Sequence, residues 1–261
     1  MELPFLFNNE GLDLYGVLNI PDSKELSNRK GIVFCGPFAE ERNNSYRSFV
    51  NFARLLCKCG YTILRFDYRG YGDSGGDFED ATFHTQIKDI RRAMDLLQEK
   101  EQVNEIGLLG LRLGGTLAML TAEVDERVKF LILWSPIGDP LRYLQNFLRS
   151  KMITEIWRVG QAKKSVEDLF VDLQKGEEVD VKGYLIRKDL YNDFIRYKSL
   201  LEELKDFQGK VLIVQIYKDN KIDLIGYRYK DIGASSELLF IPEEPFWDRD
   251  GSRSGDRQIL Y

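Results

Sequence analysis

The stretch Ile106-Gly107-Leu108-Leu109-Gly110-Leu111-Arg112-Leu113-Gly114-Gly115 decides how this chain folds. Its first residues form a short apolar run, which is typical of a strand buried on both faces of a sheet. Gly110 and Gly114 then stand on either side of Arg112, and small or apolar residues continue to Leu120. Glycines at these points allow a strand to turn sharply into a helix, because no side chain keeps the backbones apart. We therefore expect a tight strand-to-helix turn with Arg112 at its centre.

Strand and helix patterns alternate on both sides of this turn. The pattern predicts an antiparallel strand at 12–20, helices with one apolar face at 49–56 and 83–97, and buried strands at 31–35, 61–66, 128–134, 210–216 and 237–241. Regular alternation of this kind builds an α/β fold, with a mostly parallel central sheet and helices on both faces. Residues of about 140–205 show helical patterns without strands. We interpret them as a helical cap insertion in a single domain that covers 1–261.

The composition is that of an ordinary globular protein, with 43% hydrophobic and 30% charged residues. A net charge of −5 argues against nucleic-acid binding. The chain begins without a signal-peptide pattern and has no apolar run of the roughly 18 residues that a membrane helix needs. The three cysteines have neither disulfide-scaffold nor zinc-site spacing. We expect a cytoplasmic protein without a transmembrane segment, metal or cofactor.

The turn Gly110-Leu111-Arg112-Leu113-Gly114 has the G-x-S-x-G pattern of a nucleophile elbow, with arginine in place of serine. Arginine cannot attack a carbonyl, because its guanidinium stays protonated and has no electron pair to offer. It can hold a carboxylate or phosphate by two hydrogen bonds, at the sheet edge where α/β folds bind ligands. The alternative is an internal ion pair with Glu40 or Glu41, and the two interpretations are compatible.

The other members of a Ser-His-Asp triad can be sought in the same way. Asp219 or Asp223 follows the strand at 210–216 and is the candidate acid. The histidine should follow the last strand, but the sequence there is Ile241-Pro242-Glu243-Glu244-Pro245-Phe246-Trp247. The only histidine in the chain, His84, begins a helix far from that place. Three other nucleophiles lie at strand ends without an evident base: Cys35, Ser74 and Ser135.

Two further segments are expected around the pocket. The loop Gly36-Pro37-Phe38-Ala39 could offer backbone N–H groups to an anion. The predicted pocket residues beside Arg112 are Pro37, Phe38, Glu40, Glu41 and Leu113. Between Leu141 and Lys164 the cap has six basic residues against one acid, and 166–180 is acidic. These charges indicate either solvated faces that compensate each other or a basic cap over an anionic ligand or membrane surface.

The order of these features resembles the α/β-hydrolase superfamily, in its serine-aminopeptidase-like branch, across nearly the whole chain. A closer resemblance is to the second class of hydrolases associated with the exosortase A system, which occur beside bacterial exopolysaccharide and protein-sorting genes. The matching segments are Pro37–Asn43, Asp67–Ser74, Gly110–Gly114, Leu133–Pro136, Phe147–Arg149, Gly183-Tyr184 and Pro245–Trp247. The resemblance implies an α/β-hydrolase fold and makes arginine at the elbow a trait of the family.

Three functions are compatible with these patterns. The first is a protein with a degenerate triad that binds an anionic small molecule or glycan-pathway intermediate through Arg112. The second is an active esterase or peptidase that uses an unconventional nucleophile. The third is a non-catalytic partner in exopolysaccharide assembly, whose pocket is filled by its own salt bridge. Peripheral contact with a membrane is compatible with each of them.

Overall fold

The computed structural model describes residues 1–101, 103–198, 207–218 and 235–248. In chain order its strands and helices are β1 (Glu2–Asn9), β2 (Leu12–Asn19), β3 (Lys30–Cys35), α1 (Glu40–Lys58), β4 (Thr62–Phe66), α2 (Phe83–Glu101), β5 (Glu105–Leu111), α3 (Leu113–Val124), β6 (Val128–Trp134), α4 (Pro140–Val159), α5 (Val166–Lys175), β7 (Val179–Val181), β8 (Tyr184–Ile186), α6 (Lys188–Arg196), β9 (Lys210–Ile216) and β10 (Ser235–Ile241). Short 3-10 turns lie at Lys24–Leu26 and Phe78–Asp80.

Eight of the strands form one sheet in the order β1-β2-β4-β3-β5-β6-β9-β10. Strand β2 pairs antiparallel with both β1 and β4, and all other neighbours in this sheet are parallel. The mostly parallel sheet predicted from the sequence is confirmed. Strand β1 is an addition to the predicted strands. It holds its edge position through Phe7, which is buried and packs edge-on against Phe66 of β4.

Helices cover both faces of the sheet, as predicted. Along β3, Ile32 and Phe34 belong to one apolar cluster, which includes Phe49 and Ala53 of α1. The intervening residue Val33 belongs to the second cluster, with the buried faces of α2 and α3. This alternation follows from strand geometry, in which successive side chains point to opposite faces. Because α1 follows β3 and α3 follows β5, both helices begin at the same edge of the sheet.

The insertion between β6 and β9 forms the cap, here residues 140–196, and 199–205 lie outside the described residues. The cap is mainly helical, but the prediction that it lacks strands is wrong. Strands β7 and β8 form an antiparallel hairpin around Lys182 and Gly183, both with positive φ, of 54° and 89°. Positive φ at both central residues is typical of a type I′ turn. Strands of three residues are too short to give a recognisable alternation.

Aromatic side chains attach the cap to the sheet edge. The ring of Phe38, in the loop between β3 and α1, lies 5.2 Å from Phe147 and 5.8 Å from Phe194, both in the cap. Phe38 also contacts Phe78 at 5.5 Å and Tyr143 of α4 at 6.2 Å. Such aromatic pairs stabilise beyond the area they bury. In the described parts of the chain, no helix is both long and apolar enough to cross a membrane.

Candidate functional site

The turn between β5 and α3 has the tight geometry that its glycines predict. Arg112 is the residue before α3 and has φ 54° and ψ −121°, a conformation that costs energy for any residue with a side chain. A Cβ atom on Gly114 would lie 2.1 Å from the carbonyl oxygen of Cys35. A Cβ on Gly110 would lie 2.4 Å from the carbonyl oxygen of Gly114. Neither contact leaves room for a side chain, so the backbone of a nucleophile elbow is present here.

The neighbouring loop has the same strained geometry. Ala39 precedes α1 with φ 49° and ψ −126°, close to the values of Arg112. Strands β3 and β5 are paired, with Cys35 opposite Gly110, so the two turns leave the sheet side by side. Two helix N-termini, each with a partial positive charge, therefore lie at one sheet edge. Pro37 has no N–H group, which leaves this loop with one backbone donor fewer.

Arg112 is enclosed by partners from four different segments. Its Nε donates to Oε1 of Glu41 at 3.3 Å, and its Nη1 donates to the carbonyl oxygen of Ser135 at 3.4 Å. The guanidinium carbon lies 5.2 Å from the ring centre of Trp247 and 5.6 Å from that of Tyr143. Cation–π contacts of this length stabilise a positive charge that has lost part of its water. The guanidinium is thus held between two aromatic rings and a carboxylate.

Glu41, and not Glu40, provides that carboxylate. The side chains of Arg112 and Glu41 are only 18% and 19% exposed, whereas Glu40 is exposed and pairs with Lys182 of the cap at 3.4 Å. Burial raises the pKa of Glu41, although Arg112 and Tyr143 act to lower it. Its Oε2 is buried without a hydrogen-bond partner among the described residues. The carboxylate is therefore only partly compensated by the surroundings that hold it.

Trp247 occupies the segment after β10, where a triad histidine is expected. It is buried, and its carbonyl oxygen accepts a hydrogen bond from Nδ2 of Asn44 at 3.0 Å. His84 instead lies exposed in the first turn of α2. The candidate acid Asp219, like Asp223, lies outside the described residues.

Two partners of Arg112, Trp247 and Tyr143, are not among the residues that the sequence predicts for this site. For Trp247 a signal exists in the Pro245-Phe246-Trp247 segment, which carries part of the family resemblance. Tyr143 has no such signal, because its position over Arg112 depends on how the cap packs.

The side chains of the three alternative nucleophiles are hydrogen-bonded to the backbone or fully buried. Oγ of Ser135 is buried and accepts the N–H of Ile216 at 3.1 Å. Oγ of Ser74 donates to the carbonyl oxygen of Asp67 at 2.6 Å and accepts the N–H of Tyr15 at 2.9 Å. Cys35 is fully buried, and burial raises the pKa of its thiol far above the neutral range. The hydrogen bonds of Ser135 and Ser74 are to backbone groups, and the Cys35 thiol lies beside Tyr68, whose own pKa is raised by burial.

The remaining predicted pocket residues form the walls of the site. Pro37, Phe38 and Leu113 are all buried, with Phe38 in the aromatic contacts that attach the cap. The basic and acidic parts of the cap do compensate each other at one point, because Lys164 pairs with Asp172 at 2.6 Å. Across the described ranges, no group of three or more metal-ligating side chains comes together.

Comparison with known proteins identifies the family. The sequence model of serine aminopeptidase S33 matches residues 29–188. The chain belongs to this hydrolase family. The matched region includes the elbow, the loop before α1 and most of the cap. The predicted membership of the α/β-hydrolase superfamily is confirmed. The narrower resemblance to exosortase-associated hydrolases stays a prediction.

Two of the curated relatives are named for different substrates. The human mitochondrial palmitoyl-protein thioesterase ABHD10 is 33% identical over 157 residues, which cover 55% of this chain and 47% of that protein. Human monoglyceride lipase is 28% identical over 138 residues, covering 52% and 43%. An uncharacterised 31.7 kDa protein of Escherichia coli is 27% identical over 151 residues, covering 55% and 52%. The chain spans about half the length of these curated relatives.

Solved structures match over nearly the whole chain. Est1E from Butyrivibrio proteoclasticus with bound ferulic acid gives a TM-score of 0.67 at 21% identity, covering 94% of this chain and 92% of that one. Mouse α/β-hydrolase domain-containing protein 10 gives a TM-score of 0.61 at 17% identity, covering 92% and 89%. At this level of identity the similarity concerns the fold alone. The predicted α/β-hydrolase fold is confirmed.

Proposed function

We propose that this chain is a non-hydrolytic member of its family that binds a small carboxylate or phosphate compound at Arg112. The observation that carries the proposal is the replacement of the reactive centre by an enclosed cation. The elbow presents a guanidinium, which has no electron pair for attack on a carbonyl. The segment after the last strand places Trp247 against that guanidinium at 5.2 Å. Both changes favour retention of a charge and disfavour acyl transfer.

The guanidinium has capacity left for a ligand. Glu41 contacts Nε and Ser135 contacts Nη1, while Nη2 donates no hydrogen bond to any residue in the described ranges. A carboxylate or phosphate that binds arginine well uses two parallel N–H donors. The edge formed by Nη1 and Nη2 offers such a pair once the long contact to Ser135 is released. An incoming anion would then complete the coordination that Glu41 provides only in part.

Glu41 is a weak competitor for the same cation. Burial raises the pKa of Glu41, so part of the attraction between Arg112 and the carboxylate is offset by the cost of keeping a buried carboxylate ionised. An anion bound at Nη1 and Nη2 raises this pKa further, so the Glu41 carboxyl takes up a proton and no longer competes for the cation. This proton uptake keeps the charge of the site unchanged when the anion carries one negative charge. Within the class of small anions, the resemblance to exosortase-associated hydrolases favours an acidic sugar or sugar phosphate from a glycan pathway.

The non-hydrolytic part is tested with a fluorophosphonate probe, which reacts covalently with activated serine nucleophiles. The expected result is no labelling of the folded protein under conditions in which an active serine hydrolase is labelled to completion. Stoichiometric labelling, with the modified residue located by mass spectrometry, would contradict the proposal. It would support an unconventional nucleophile instead.

The binding part is tested by calorimetric titration with acetate and with inorganic phosphate. Arg112→Gln should abolish binding, because it removes the charge while keeping a polar side chain of moderate length. Glu41→Gln should strengthen binding, because it removes the competing carboxylate. Arg42→Gln is the matched control for Arg112→Gln. Arg42 lies next to Glu41 in α1, is half-buried, and pairs with Asp67 at 2.6 Å. It should leave the affinity unchanged.

Thermal unfolding of each variant separates lost binding from lost structure. If neither the wild-type protein nor Glu41→Gln binds either anion, the ion pair is purely structural and the proposal is wrong. If Arg112→Gln remains folded and binds as tightly as the wild-type protein, the anion site lies elsewhere.

A further inference from the structure

The outer face of cap helix α4 changes from basic to apolar along its length. Counting in steps of three and four residues, one face carries Arg142, Asn146, Arg149, Ile153, Ile156 and Trp157. The opposite face carries Leu144 and Leu148, which are buried in the same apolar cluster as Val33 of β3. Helix α4 therefore uses its inward face for packing and presents a stripe of about 22 Å to solvent. This stripe, from Arg142 to Trp157, is called the α4 stripe below.

The apolar part of the α4 stripe is unusually exposed. Trp157 is 87% exposed, Ile153 and Ile156 are about half exposed, and Val159, which lies beside the stripe one turn after Ile156, is 60% exposed. A soluble surface commonly carries single exposed apolar residues, but four within seven positions form a patch. The other two tryptophans of the chain, Trp134 and Trp247, lie against other aromatic rings. Only Trp157 points away from the fold.

The charges around this patch are positive. Within the described residues, no carboxylate pairs with Arg142 or Arg149, the two arginines of the stripe. The one acid in α4, Glu155, is turned away from the stripe. It pairs with Lys151 at 3.0 Å and accepts the N–H of Lys163 at 3.1 Å. The exposed face of the helix therefore combines apolar side chains with uncompensated arginines, although the chain as a whole has a net charge of −5.

We propose that the α4 stripe is a docking surface for a bilayer rich in anionic lipids, with Trp157 inserted at the headgroup level. Tryptophan is enriched at membrane interfaces because its ring is apolar and its N–H is polar. Arginines on the same face are attracted to the negative headgroups and orient the helix parallel to the surface. A symmetric antiparallel dimer would bury the apolar residues but would leave Arg142 and Arg149 without anionic partners.

The surface is separate from the Arg112 site, so the two proposals stand independently. Binding is measured by flotation with vesicles of phosphatidylcholine alone and with vesicles of equal parts phosphatidylcholine and phosphatidylglycerol. We expect the chain of residues 1–261 to bind only the anionic vesicles and to be released by added salt. Trp157→Ala should lower the partition coefficient about tenfold, since it removes one large inserted side chain. Arg149→Glu should lower it about thirtyfold, through two units of charge.

Matched controls are available elsewhere on the surface. Val124 is 62% exposed at the end of α3, and Lys58 is exposed at the end of α1. Val124→Ser and Lys58→Glu should leave vesicle binding unchanged. The Ile153→Ser variant keeps Trp157, whose fluorescence reports insertion. The blue shift of its tryptophan emission on vesicle addition should be smaller than in the wild-type protein.

Three results would overturn the proposal. The first is no binding of the wild-type chain to anionic vesicles. The second is equal binding by the wild-type protein, Trp157→Ala and Arg149→Glu. The third is self-association in sedimentation equilibrium without lipid that Trp157→Ala abolishes, which would assign the α4 stripe to a second copy of the chain.

Discussion

Replacing Arg112 with methionine should destabilise the protein in a pH-dependent way. Methionine keeps apolar contact with Trp247 and Tyr143 but removes the charge that faces Glu41. With 3.3 Å between Nε and Oε1, the Coulomb attraction is about 5 kcal/mol at an effective dielectric constant of about 20. The cost of burying both ions offsets part of this. Removing one partner of a buried pair typically costs about 3–5 kcal/mol, and we expect about 3 kcal/mol at pH 8.

The pH dependence follows from Glu41. Burial already raises its pKa in the folded protein, and loss of Arg112 raises it further. Below the pKa of the unfolded chain, about 4.5, the carboxyl is protonated in both states and the cost of an unpaired buried charge disappears. As the pH rises, the unfolded state ionises first, so the folded state loses stability relative to it. The destabilisation by Arg112→Met should therefore shrink between pH 8 and pH 5.

Urea unfolding at both pH values measures this effect. Glu41→Gln in the Arg112→Met background should recover about half of the loss at pH 8, because it removes the orphaned carboxylate. Lys30→Met is the control: it breaks the exposed pair with Glu105 at 2.9 Å and should cost less than about 1 kcal/mol. An Arg112→Met protein within about 0.5 kcal/mol of the wild-type protein at both pH values would refute the ion pair as an energetic unit.

Three further predictions concern the turn at Arg112 and a second buried ion pair. Gly114→Ala should destabilise the protein by about 3 kcal/mol or more in urea unfolding, because the added Cβ would lie 2.1 Å from the carbonyl oxygen of Cys35. Gly36→Ala is the control and should be tolerated, because its Cβ would meet only a Tyr68 ring carbon at 4.0 Å. Arg112→Ser restores the elbow serine but should give neither esterase activity nor fluorophosphonate labelling, because no histidine follows β10 in the described residues. Asp89→Asn should cost about 3 kcal/mol by the same unfolding assay, because Asp89 is fully buried and accepts from Nη2 of Arg69 at 2.7 Å.

The fold was predictable because its signals are local. Short apolar runs, helical periodicity and the glycines around Arg112 each act within about ten residues, and together they predict the parallel sheet and the strained turn. The β7–β8 hairpin was not predictable, because three residues per strand give too little alternation. Its Lys182-Gly183 turn is recognisable only once the positive φ angles are known.

The site was predictable in outline only. An ion pair of Arg112 with Glu40 or Glu41 is one of two interpretations that the sequence allows, and the sequence does not choose between these two acids. Helix geometry decides between them, since successive residues in a helix point about 100° apart. Glu41 faces Arg112, and Glu40 faces Lys182 of the cap. Trp247 lies 135 positions after Arg112 in sequence, and its contact depends on the packing of several elements, which no local pattern reports.

We propose above that Arg112 binds a small anion. The most direct test follows the Nε–H resonance of Arg112 by nuclear magnetic resonance during a titration with inorganic phosphate, with Arg112→Lys used to assign the signal. We expect a saturable shift of this resonance, at lower phosphate concentration in Glu41→Gln than in the wild-type protein. An Arg112 resonance that stays unchanged throughout the titration in both proteins would contradict it.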